Sequence, residues 1–313
     1  MQKNVLITGF DGFVAKYLSE FLLKKKYKVY VTHYKKIKKI KKKNLYYIFC
    51  NIKKINDVKK ALVLAKPNEI YHLAAKSLPV YSTKFPLETM NVNLMGTMNL
   101  LEQCKLMKLR SKIVVACSSA QFGKRDFRKL PLKENDSYFP EHIYGLSKVF
   151  TDKISEQYFK MYKLNIFRAI IFNTTGPQKK SDVFSDLLSQ YVKQKKKKII
   201  KIFSGDLNKF RDFLHVDDLV KALYIIQKKG KSGSSYNVCT SNYHSVKKII
   251  DLIVQDAKKS KIQILTKKIL FRKFDEKYIF GSNKKLRKLG WKPINNIKRI
   301  FIDICEYYEK KFH

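Results

Sequence analysis

Residues 5–15 read Val5-Leu-Ile-Thr-Gly9-Phe-Asp-Gly12-Phe-Val-Ala15. The apolar residues before Gly9 predict a buried strand, and the amphipathic pattern from Gly12 onward predicts a helix. Gly9 permits a tight turn between them, and Gly12 lets the backbone approach a bound pyrophosphate. The N-terminus of the helix presents N–H groups and a favourable dipole to an anion. A glycine pair between a strand and a helix therefore predicts a dinucleotide site at the start of the chain.

Short apolar segments continue to alternate with helical patterns through the first half of the chain. The apolar segments cover residues 29–31, 46–49, 70–73, 113–116 and 166–172. Near-continuous apolar strands separated by helices are typical of a parallel sheet that is covered on both faces. The sequence therefore predicts an α/β fold, a Rossmann-type doubly wound parallel sheet with a smaller C-terminal α/β lobe.

The alternation breaks near residue 173, which suggests two lobes. We predict that residues 1–173 form the dinucleotide-binding Rossmann domain and that residues 209–230 return to it as a further strand and helix. Residues 174–208 and 231–313 are then expected to form the substrate-binding lobe. A chain of 313 residues is long enough to bury a sizeable core in this arrangement.

The net charge of +42 raises the question of a nucleic-acid partner. Only eight of the 67 basic residues are Arg, and the lysines are spread along the chain rather than interleaved with aromatics in one stripe. The chain is also rich in Ile, Asn, Tyr and Phe, which share A/T-rich codons with Lys. We interpret the charge as compositional drift and expect no nucleic-acid partner.

The cysteines and the apolar segments indicate the compartment. The five cysteines are scattered and show no Cys-x-x-Cys spacing, so we expect reduced thiols with neither a disulfide frame nor a metal site. We see no secretory signal at the start of the sequence and no apolar run long enough to span a membrane. The expectation is a cytoplasmic protein without a membrane partner.

Tyr144-Gly-Leu-Ser-Lys148 places a phenol and an ammonium one helical turn apart. Residues i and i+4 share a helix face, so both side chains reach the same small volume. An ammonium beside a phenol favours the phenolate and lowers the pKa of the tyrosine. The pair is therefore a candidate proton donor and acceptor near neutral pH.

The end of the second predicted strand bears on the choice of cofactor. NAD-binding sites usually present an acid there, about 20 residues after the glycines, to hold the ribose 2′-hydroxyl. This chain has Thr32-His33-Tyr34-Lys35-Lys36 instead. His33, Lys35 or Lys36 could attract a 2′-phosphate, so we predict NADP(H), with NAD possible.

Taken in order, the motifs of this chain resemble the extended short-chain dehydrogenase/reductases that act on nucleotide sugars, the NAD-dependent epimerase/dehydratase family. Besides the glycine turn and Tyr144-x-x-x-Lys148, the matching segments are 72–75, 93–97, 118–119, 168–177, 211–218 and 289–293. They extend over nearly the whole chain. The motifs match most closely the branch of the GDP-4-keto-6-deoxy-D-mannose reductases and GDP-mannose 4,6-dehydratases.

The resemblance implies roles for individual residues. Tyr144 would exchange a proton with a sugar oxygen, Lys148 would lower the pKa of Tyr144 and hold the nicotinamide ribose, and Ser118 would hydrogen-bond the same sugar oxygen. The expected cofactor contacts are Gly9, Phe10, Gly12, Phe13, His33, Asn51, Ile52, Leu73, Ala74, Ala75, Asn93, Tyr144 and Lys148. The expected substrate contacts are Ser119, Gln121, Asn173, Arg211 and Arg272. Hydride would move between the nicotinamide and a sugar carbon, most often C4.

Two positions separate the activities found in such enzymes. Sugar 4,6-dehydratases place a Glu where this chain has Ala120, and GDP-fucose synthases place a Cys there and a His where it has Gln178. A methyl group cannot transfer a proton, so 4-keto reduction and 4-epimerisation remain. We predict an NADPH-dependent reductase of a nucleotide-linked 4-keto-6-deoxysugar, GDP-linked, in surface polysaccharide synthesis. The alternative is an NAD-bound nucleotide-sugar 4-epimerase; a dehydratase or a non-catalytic binding protein is less favoured. The resemblance also implies a homodimer.

Overall fold

The computed structural model describes residues 2–36, 40–258, 260–267, 269 and 276–312. The helices are α1 Phe13–Lys24, α2 Ile55–Ala65, α3 Pro79–Lys84, α4 Pro86–Met90, α5 Gly96–Leu106, α6 Ile143–Tyr162, α7 Val183–Val192, α8 Val216–Lys229, α9 Lys247–Ala257, α10 Lys284–Arg287 and α11 Ile297–Phe312. The strands are β1 Asn4–Thr8, β2 Lys28–His33, β3 Leu45–Phe49, β4 Glu69–His72, β5 Lys112–Ser118, β6 Ile166–Ile171, β7 Thr174–Thr175, β8 Ile199–Ser204, β9 Phe210–Arg211, β10 Leu214–His215, β11 Ser235–Val238, β12 His244–Ser245, β13 Lys261–Thr266 and β14 Tyr278–Ile279. A π-helical turn covers Asn91–Met95, and 3-10 turns cover Ser119–Gln121 and Phe127–Lys129.

The central sheet has seven strands in the order β3-β2-β1-β4-β5-β6-β11. Every neighbouring pair in it is parallel. The order reverses between β1 and β4, and in open α/β sheets this switch point is where the carboxyl ends of the strands leave a crevice for a ligand. The predicted Rossmann-type doubly wound sheet is therefore confirmed.

Helices cover both faces of the sheet and bury its apolar side chains. Leu18 and Leu22 of α1 pack with Leu223 of α8 in the core of one face. Leu62 of α2 and Leu101 of α5 pack in the core of the other face. All five side chains are at most 1% exposed, and burying one leucine in this way contributes about 1.5–3 kcal/mol. These two cores hold the strand ends in register.

A second core lies beyond the sheet. Leu188 of α7, Ile202 of β8, Ile249 of α9 and Ile300 of α11 are fully buried against one another. The parallel pair of β8 and β13 forms a small sheet in this region. We call this unit the second lobe; it faces the carboxyl ends of the central strands.

The return of the chain to the first lobe differs from the predicted boundaries. Residues after 230 were expected in the substrate-binding lobe, but Ser235–Val238 forms β11, the seventh strand of the central sheet, paired with β6. Trp291 is also buried in the core around α1 and α8, and its Nε1 donates a hydrogen bond to the Asp218 carbonyl oxygen at 3.1 Å. The return to the first lobe therefore extends well past α8, because strand pairing and the indole anchor both hold it there.

Candidate active site

A cleft of about 1270 Å³ lies between the carboxyl ends of the central strands and the second lobe. Gly9, His33 and Ser118 line it from the first lobe, and Asp182 and Arg211 line it from the opposite side. Because its lining comes from both lobes, one cleft can hold a cofactor and a second ligand side by side.

The glycine turn fits the pyrophosphate of a dinucleotide. Gly9 has a φ of +81°, and a Cβ there would lie 2.7 Å from the Ala74 Cα, so only glycine fits between the two loops. Gly12 precedes α1, and among the described residues no side chain caps this helix. The first N–H groups of α1 are therefore available to an anion.

A chain of buried hydrogen bonds fixes the loop after β4. Thr8 Oγ1 accepts hydrogen bonds from the backbone N–H groups of Leu73 and Ala74, both at 3.1 Å. Thr8 also contacts His72 Nδ1 at 2.9 Å, and His72 Nε2 contacts Thr97 Oγ1 at 3.0 Å. Burial, with the positive charge of Lys148, lowers the pKa of His72 to about 3. A neutral imidazole thus links the two threonines and holds the cleft-lining backbone in place.

Most of the predicted cofactor contacts line this end of the cleft. They are Gly9, Gly12, Phe13, His33, Asn51, Ile52, Leu73, Ala74, Ala75, Tyr144 and Lys148. Phe10 does not join them, because its ring packs edge-on against Tyr47 with centroids 5.5 Å apart and its N–H donates to the Thr32 carbonyl oxygen at 2.8 Å.

Asn93 lies behind the cleft rather than in its lining. It is 1% exposed. Its Oδ1 accepts from the Lys76 N–H at 2.7 Å, and its Nδ2 donates to the Lys76 carbonyl oxygen at 3.1 Å and to Ser147 Oγ at 2.8 Å. Ser147 Oγ donates in turn to the Tyr144 carbonyl oxygen at 2.7 Å. Direct cofactor contact was predicted for Asn93; instead it ties the loop after β4 to α6, and it does so from the π-helical turn.

The structure brings the three predicted catalytic residues together. Ser118 ends β5, and Tyr144 and Lys148 lie on α6, which packs against β5. Burial raises the pKa of Tyr144 to about 12, and its hydrogen bond with Ser118 opposes that rise. Burial lowers the pKa of Lys148 to about 8, and its Nζ donates to the Ala116 carbonyl oxygen at 2.7 Å.

The sequence predicted that Lys148 would lower the pKa of Tyr144, and in this structure the net shift is upward. Burial outweighs the other influences on the phenol, and the ammonium is directed to the backbone of β5. Tyr144 is therefore protonated at neutral pH and can act as a proton donor.

His142 is a cleft residue that the sequence analysis missed. It is the N-cap of α6, where its Nδ1 accepts a hydrogen bond from the Gly145 N–H at 3.0 Å. Its ring stacks on that of Tyr144 with centroids 6.0 Å apart and an angle of 17° between the planes. Ser, Thr, Asp and Asn are the usual N-caps, so the available signal was an imidazole two residues before a candidate catalytic tyrosine.

The turn after β5 separates two predicted substrate contacts. Ser119 lines the cleft together with Ala120. Gln121 is fully buried, and its Oε1 accepts from the Ser118 N–H at 3.4 Å. Gln121 therefore positions the backbone of Ser118. It was predicted to contact the substrate, but it does not line the cleft.

The opposite end of the cleft carries the remaining predicted contacts. Asn173 and Arg211 line it. Arg211 is 7% exposed, and its Nη1 donates to the Phe210 carbonyl oxygen at 2.8 Å, which orients the guanidinium. Glu276 lines this end too, whereas Lys179 lines the cleft beside the glycine turn, where its Nζ lies 5.2 Å from the centroid of the Phe13 ring; no motif singled them out. Arg272 lies outside the described residues.

A family model described as GDP-mannose 4,6 dehydratase matches residues 6–303. The chain belongs to this family. Its curated relatives include the GDP-6-deoxy-D-mannose reductase of Pseudomonas aeruginosa, 27% identical over 248 residues that cover 78% of this chain and 81% of the relative. The human GDP-mannose 4,6 dehydratase is 26% identical over 335 residues, covering 93% of this chain and 87% of the relative.

Solved structures show the same fold. RMD from Pseudomonas aeruginosa, complexed with NADPH, has a TM-score of 0.83 at 24% identity, covering 98% of this chain and 99% of that chain. The UDP-glucose 4-epimerase of Thermus thermophilus, in complex with NAD, has a TM-score of 0.85 at 22% identity, covering 97% of this chain and 98% of that chain.

The family match and the curated relatives confirm the predicted enzyme class, an NAD(P)-dependent extended short-chain dehydrogenase/reductase. Among the described residues, no helix is both long enough and apolar enough to cross a membrane.

Proposed function

We propose that this protein reduces the C4 carbonyl of a nucleotide-linked 4-keto-6-deoxysugar, with GDP as the nucleotide. Bound in reduced form, a nicotinamide cofactor would supply the hydride that C4 receives. The carbonyl oxygen takes the phenolic proton of Tyr144, and the tyrosinate left behind regains a proton from solvent. The product is the corresponding alcohol, and the cofactor leaves oxidised.

The proposal rests on one observation: the cleft contains the protonated phenol of Tyr144 but, at the turn after Ser118, only the methyl group of Ala120. The Tyr144 phenol, with its pKa raised to about 12, shares a hydrogen bond with Ser118, which suits donation to a ketone oxygen. Ala120 lines the cleft on the turn that follows Ser118. Dehydration at C5 and C6 needs an acid at that turn, and Ala120 supplies only a methyl group.

The other residues of the site support the same step. Lys148, buried in the same cleft lining as Tyr144, would hold the ribose of the cofactor and stabilise the tyrosinate formed after proton transfer. Arg211 would bind the diphosphate of the substrate, because its planar guanidinium matches two phosphate oxygens. The relatives named GDP-6-deoxy-D-mannose reductase and GDP-mannose 4,6 dehydratase favour a GDP-linked sugar.

The experiment mixes purified protein with GDP-4-keto-6-deoxymannose and either NADPH or NADH. We expect the absorbance of the reduced nicotinamide to fall in step with formation of a GDP-6-deoxyhexose, identified by mass spectrometry and NMR. Interconversion of 4-epimers with a catalytic amount of NAD and no net oxidation would overturn the reductase in favour of a 4-epimerase. In a parallel reaction with GDP-mannose and NADP⁺, loss of water to give GDP-4-keto-6-deoxymannose would overturn it in favour of a dehydratase.

Three further points stay predictions: a homodimer, a cytoplasmic location and a role in surface polysaccharide synthesis. The first is checked by sedimentation at several protein concentrations, and the other two by localisation and by the glycan composition of a strain that lacks the protein.

A further inference from the structure

Tyr144 lies in the first turn of α6, where a backbone N–H has no acceptor within the helix. The N-cap His142 accepts the N–H of Gly145, whereas the Tyr144 N–H donates to Ser82 Oγ of α3 at 3.1 Å. Ser82 is fully buried, and its hydroxyl donates in turn to the Pro79 carbonyl oxygen at 2.7 Å. A side chain from a different helix therefore holds the backbone of the candidate proton donor.

The carbonyl side of Tyr144 is anchored as well. Ser147 Oγ donates to the Tyr144 carbonyl oxygen at 2.7 Å and accepts from Asn93 Nδ2 at 2.8 Å. Ser82 and Asn93 both belong to the segment 73–93, and residues 73–81 of that segment line the cleft. The segment that faces the cleft thus also fixes the Tyr144 backbone from both sides.

We propose that Ser82 is a positioning residue for the reduction, because it fixes the Tyr144 backbone and thereby the phenolic hydroxyl relative to Ser118 and to the sugar carbonyl. The inference rests on the proposed function, in which Tyr144 donates the proton. The hydroxyl lies at the far end of a long side chain, so a small rotation of the backbone becomes a larger displacement of the donor. Displacing a catalytic group by about 1 Å lowers a rate by about 100-fold.

Replacing Ser82 by alanine separates this role from cofactor binding. The Tyr144 N–H then loses its acceptor, and a part-buried donor without a partner is unfavourable, so the first turn of α6 should move towards another acceptor. The glycine turn and the strands β1 and β4 do not contact the lost hydroxyl. We therefore expect a loss of turnover without a loss of cofactor affinity.

The first test compares Ser82→Ala with the matched control Thr83→Ala. The Thr83 hydroxyl donates to the same Pro79 carbonyl oxygen, at 3.3 Å, but from the exposed side of α3. Ser82→Ala should lower the single-turnover rate of hydride transfer by about 10- to 100-fold. The dissociation constant of the cofactor should stay within about twofold of the wild type. Thr83→Ala should match the wild type in both quantities, and an undiminished rate in Ser82→Ala would overturn the proposal.

Combination with Tyr144→Phe shows whether Ser82 acts through the phenol. A residue that positions the hydroxyl has nothing to position once that hydroxyl is removed. Ser82→Ala should therefore lower the residual rate of Tyr144→Phe by less than about twofold. An equal loss in both backgrounds would mean that Ser82 acts by another route, and the proposal would then be wrong.

An NMR measurement without substrate keeps this proposal apart from the proposed function. Tyrosine labelled with ¹³C at the hydroxyl-bearing carbon reports the surroundings of each phenol, and Tyr144→Phe identifies the signal of Tyr144. That signal should shift in Ser82→Ala and stay in place in Thr83→Ala; an unshifted signal in Ser82→Ala would remove the role of Ser82. A wild type that reduces no keto sugar would remove the proposed function only.

Thermal melts confirm that each variant is folded. If Ser82→Ala does not fold, Ser147→Ala takes its place, because it releases the carbonyl side of Tyr144 and carries the same expectations. If the wild type interconverts 4-epimers instead of reducing the ketone, the proposed function falls, and the same variants are compared in that reaction.

Discussion

The two ends of the cleft are built in different ways. At the cofactor end, Gly9 and Ala74 lie just after the carboxyl ends of β1 and β4, which are neighbouring parallel strands. At the substrate end, Arg211 comes from a two-residue strand and Glu276 from a loop far away in sequence. The parallel sheet thus determines the shape of the cofactor end, whereas individual side chains determine the chemistry of the substrate end.

This difference predicts which measured quantity each kind of substitution should change. Changes that disturb the backbone at the cofactor end should weaken cofactor binding. Changes that shorten a side chain at the substrate end should raise KM for the sugar alone. Ser118 and Tyr144 lie between the two ends, and substituting either should lower turnover with little effect on the affinity for cofactor or sugar.

Tyr144→Phe tests this division with the largest expected effect. Removing the phenolic hydroxyl deletes the proton donor, so we expect turnover to fall by about 10²–10⁴-fold. The dissociation constant of the cofactor should change by less than about twofold, since only one hydroxyl is lost. Single-turnover kinetics and fluorescence titration measure the two quantities.

The matched control for this prediction is Tyr162→Phe on the last turn of the same helix, where the side chain is 42% exposed. It should leave both quantities unchanged. Turnover by Tyr144→Phe close to that of the wild type would show that another group supplies the proton.

The parts of the molecule that could be predicted from the sequence are those set by local periodicity. The parallel, doubly wound sheet follows from apolar strands that alternate with helices, and Gly9 marks the turn after β1 because its positive φ favours glycine. Tyr144 and Lys148 share a face because the helical repeat places them there. Each of these features depends on neighbouring residues only.

The parts that could not be predicted depend on contacts between distant residues. β11 contains only Ser235–Val238, with Ser and Asn among its four residues, and it is a strand because it pairs with β6. Gln121 carries no sign in its own motif that it faces inward to the Ser118 backbone. Asp11 and Tyr34 meet only when the glycine turn folds onto β2. Tertiary packing decides such side-chain directions, and a single sequence does not show it.

Gly9→Ala tests the cofactor end. The added methyl would lie 2.7 Å from a backbone atom of the loop after β4, at a φ of +81°. Relieving the clash must move one of the two loops, so we expect cofactor affinity to fall by about 30-fold, equivalent to ~2 kcal/mol. Isothermal titration of the cofactor provides the measurement.

Gly290→Ala is the control for backbone strain without a clash. Its φ is +91°, and the nearest atom to the added methyl would be Lys229 Nζ at 3.6 Å. We expect a loss of about 1 kcal/mol in the free energy of unfolding with cofactor affinity unchanged. If the two variants bind cofactor equally well, the turn at Gly9 is not what shapes the pyrophosphate site.

Arg211→Lys tests the substrate end. A lysine keeps the charge but loses the planar fork that pairs with two phosphate oxygens, so we expect KM for the nucleotide sugar to rise about tenfold with kcat nearly unchanged. The exposed Arg287→Lys, away from the cleft, is the control and should behave like the wild type. Steady-state kinetics at saturating cofactor measure KM and kcat for each variant. A fall in kcat at constant KM would show that Arg211 acts in the chemical step instead.

The pH dependence of kcat/KM tests Tyr144 and Lys148, which lie between the two ends. Near neutral pH the expected change in kcat/KM is the smallest of those predicted here. Burial lowers the pKa of Lys148 to about 8 and raises that of Tyr144 to about 12. Below pH 8 the ammonium is charged and the phenol is protonated, which is the state that donates a proton and stabilises the tyrosinate. As the pH rises through about 8 the ammonium loses its charge, so kcat/KM should halve near that pH and fall about tenfold per unit above it.

Cofactor affinity measured at each pH separates this effect from weakened binding of the ribose by Lys148. Lys148→Met has no group to titrate, and its residual kcat/KM should be flat across the same range. A wild-type profile that stays flat to about pH 10 would mean that the charge of Lys148 is not used in the step. The tyrosinate would then be stabilised by its hydrogen bond with Ser118 at the end of β5, without the charge of Lys148.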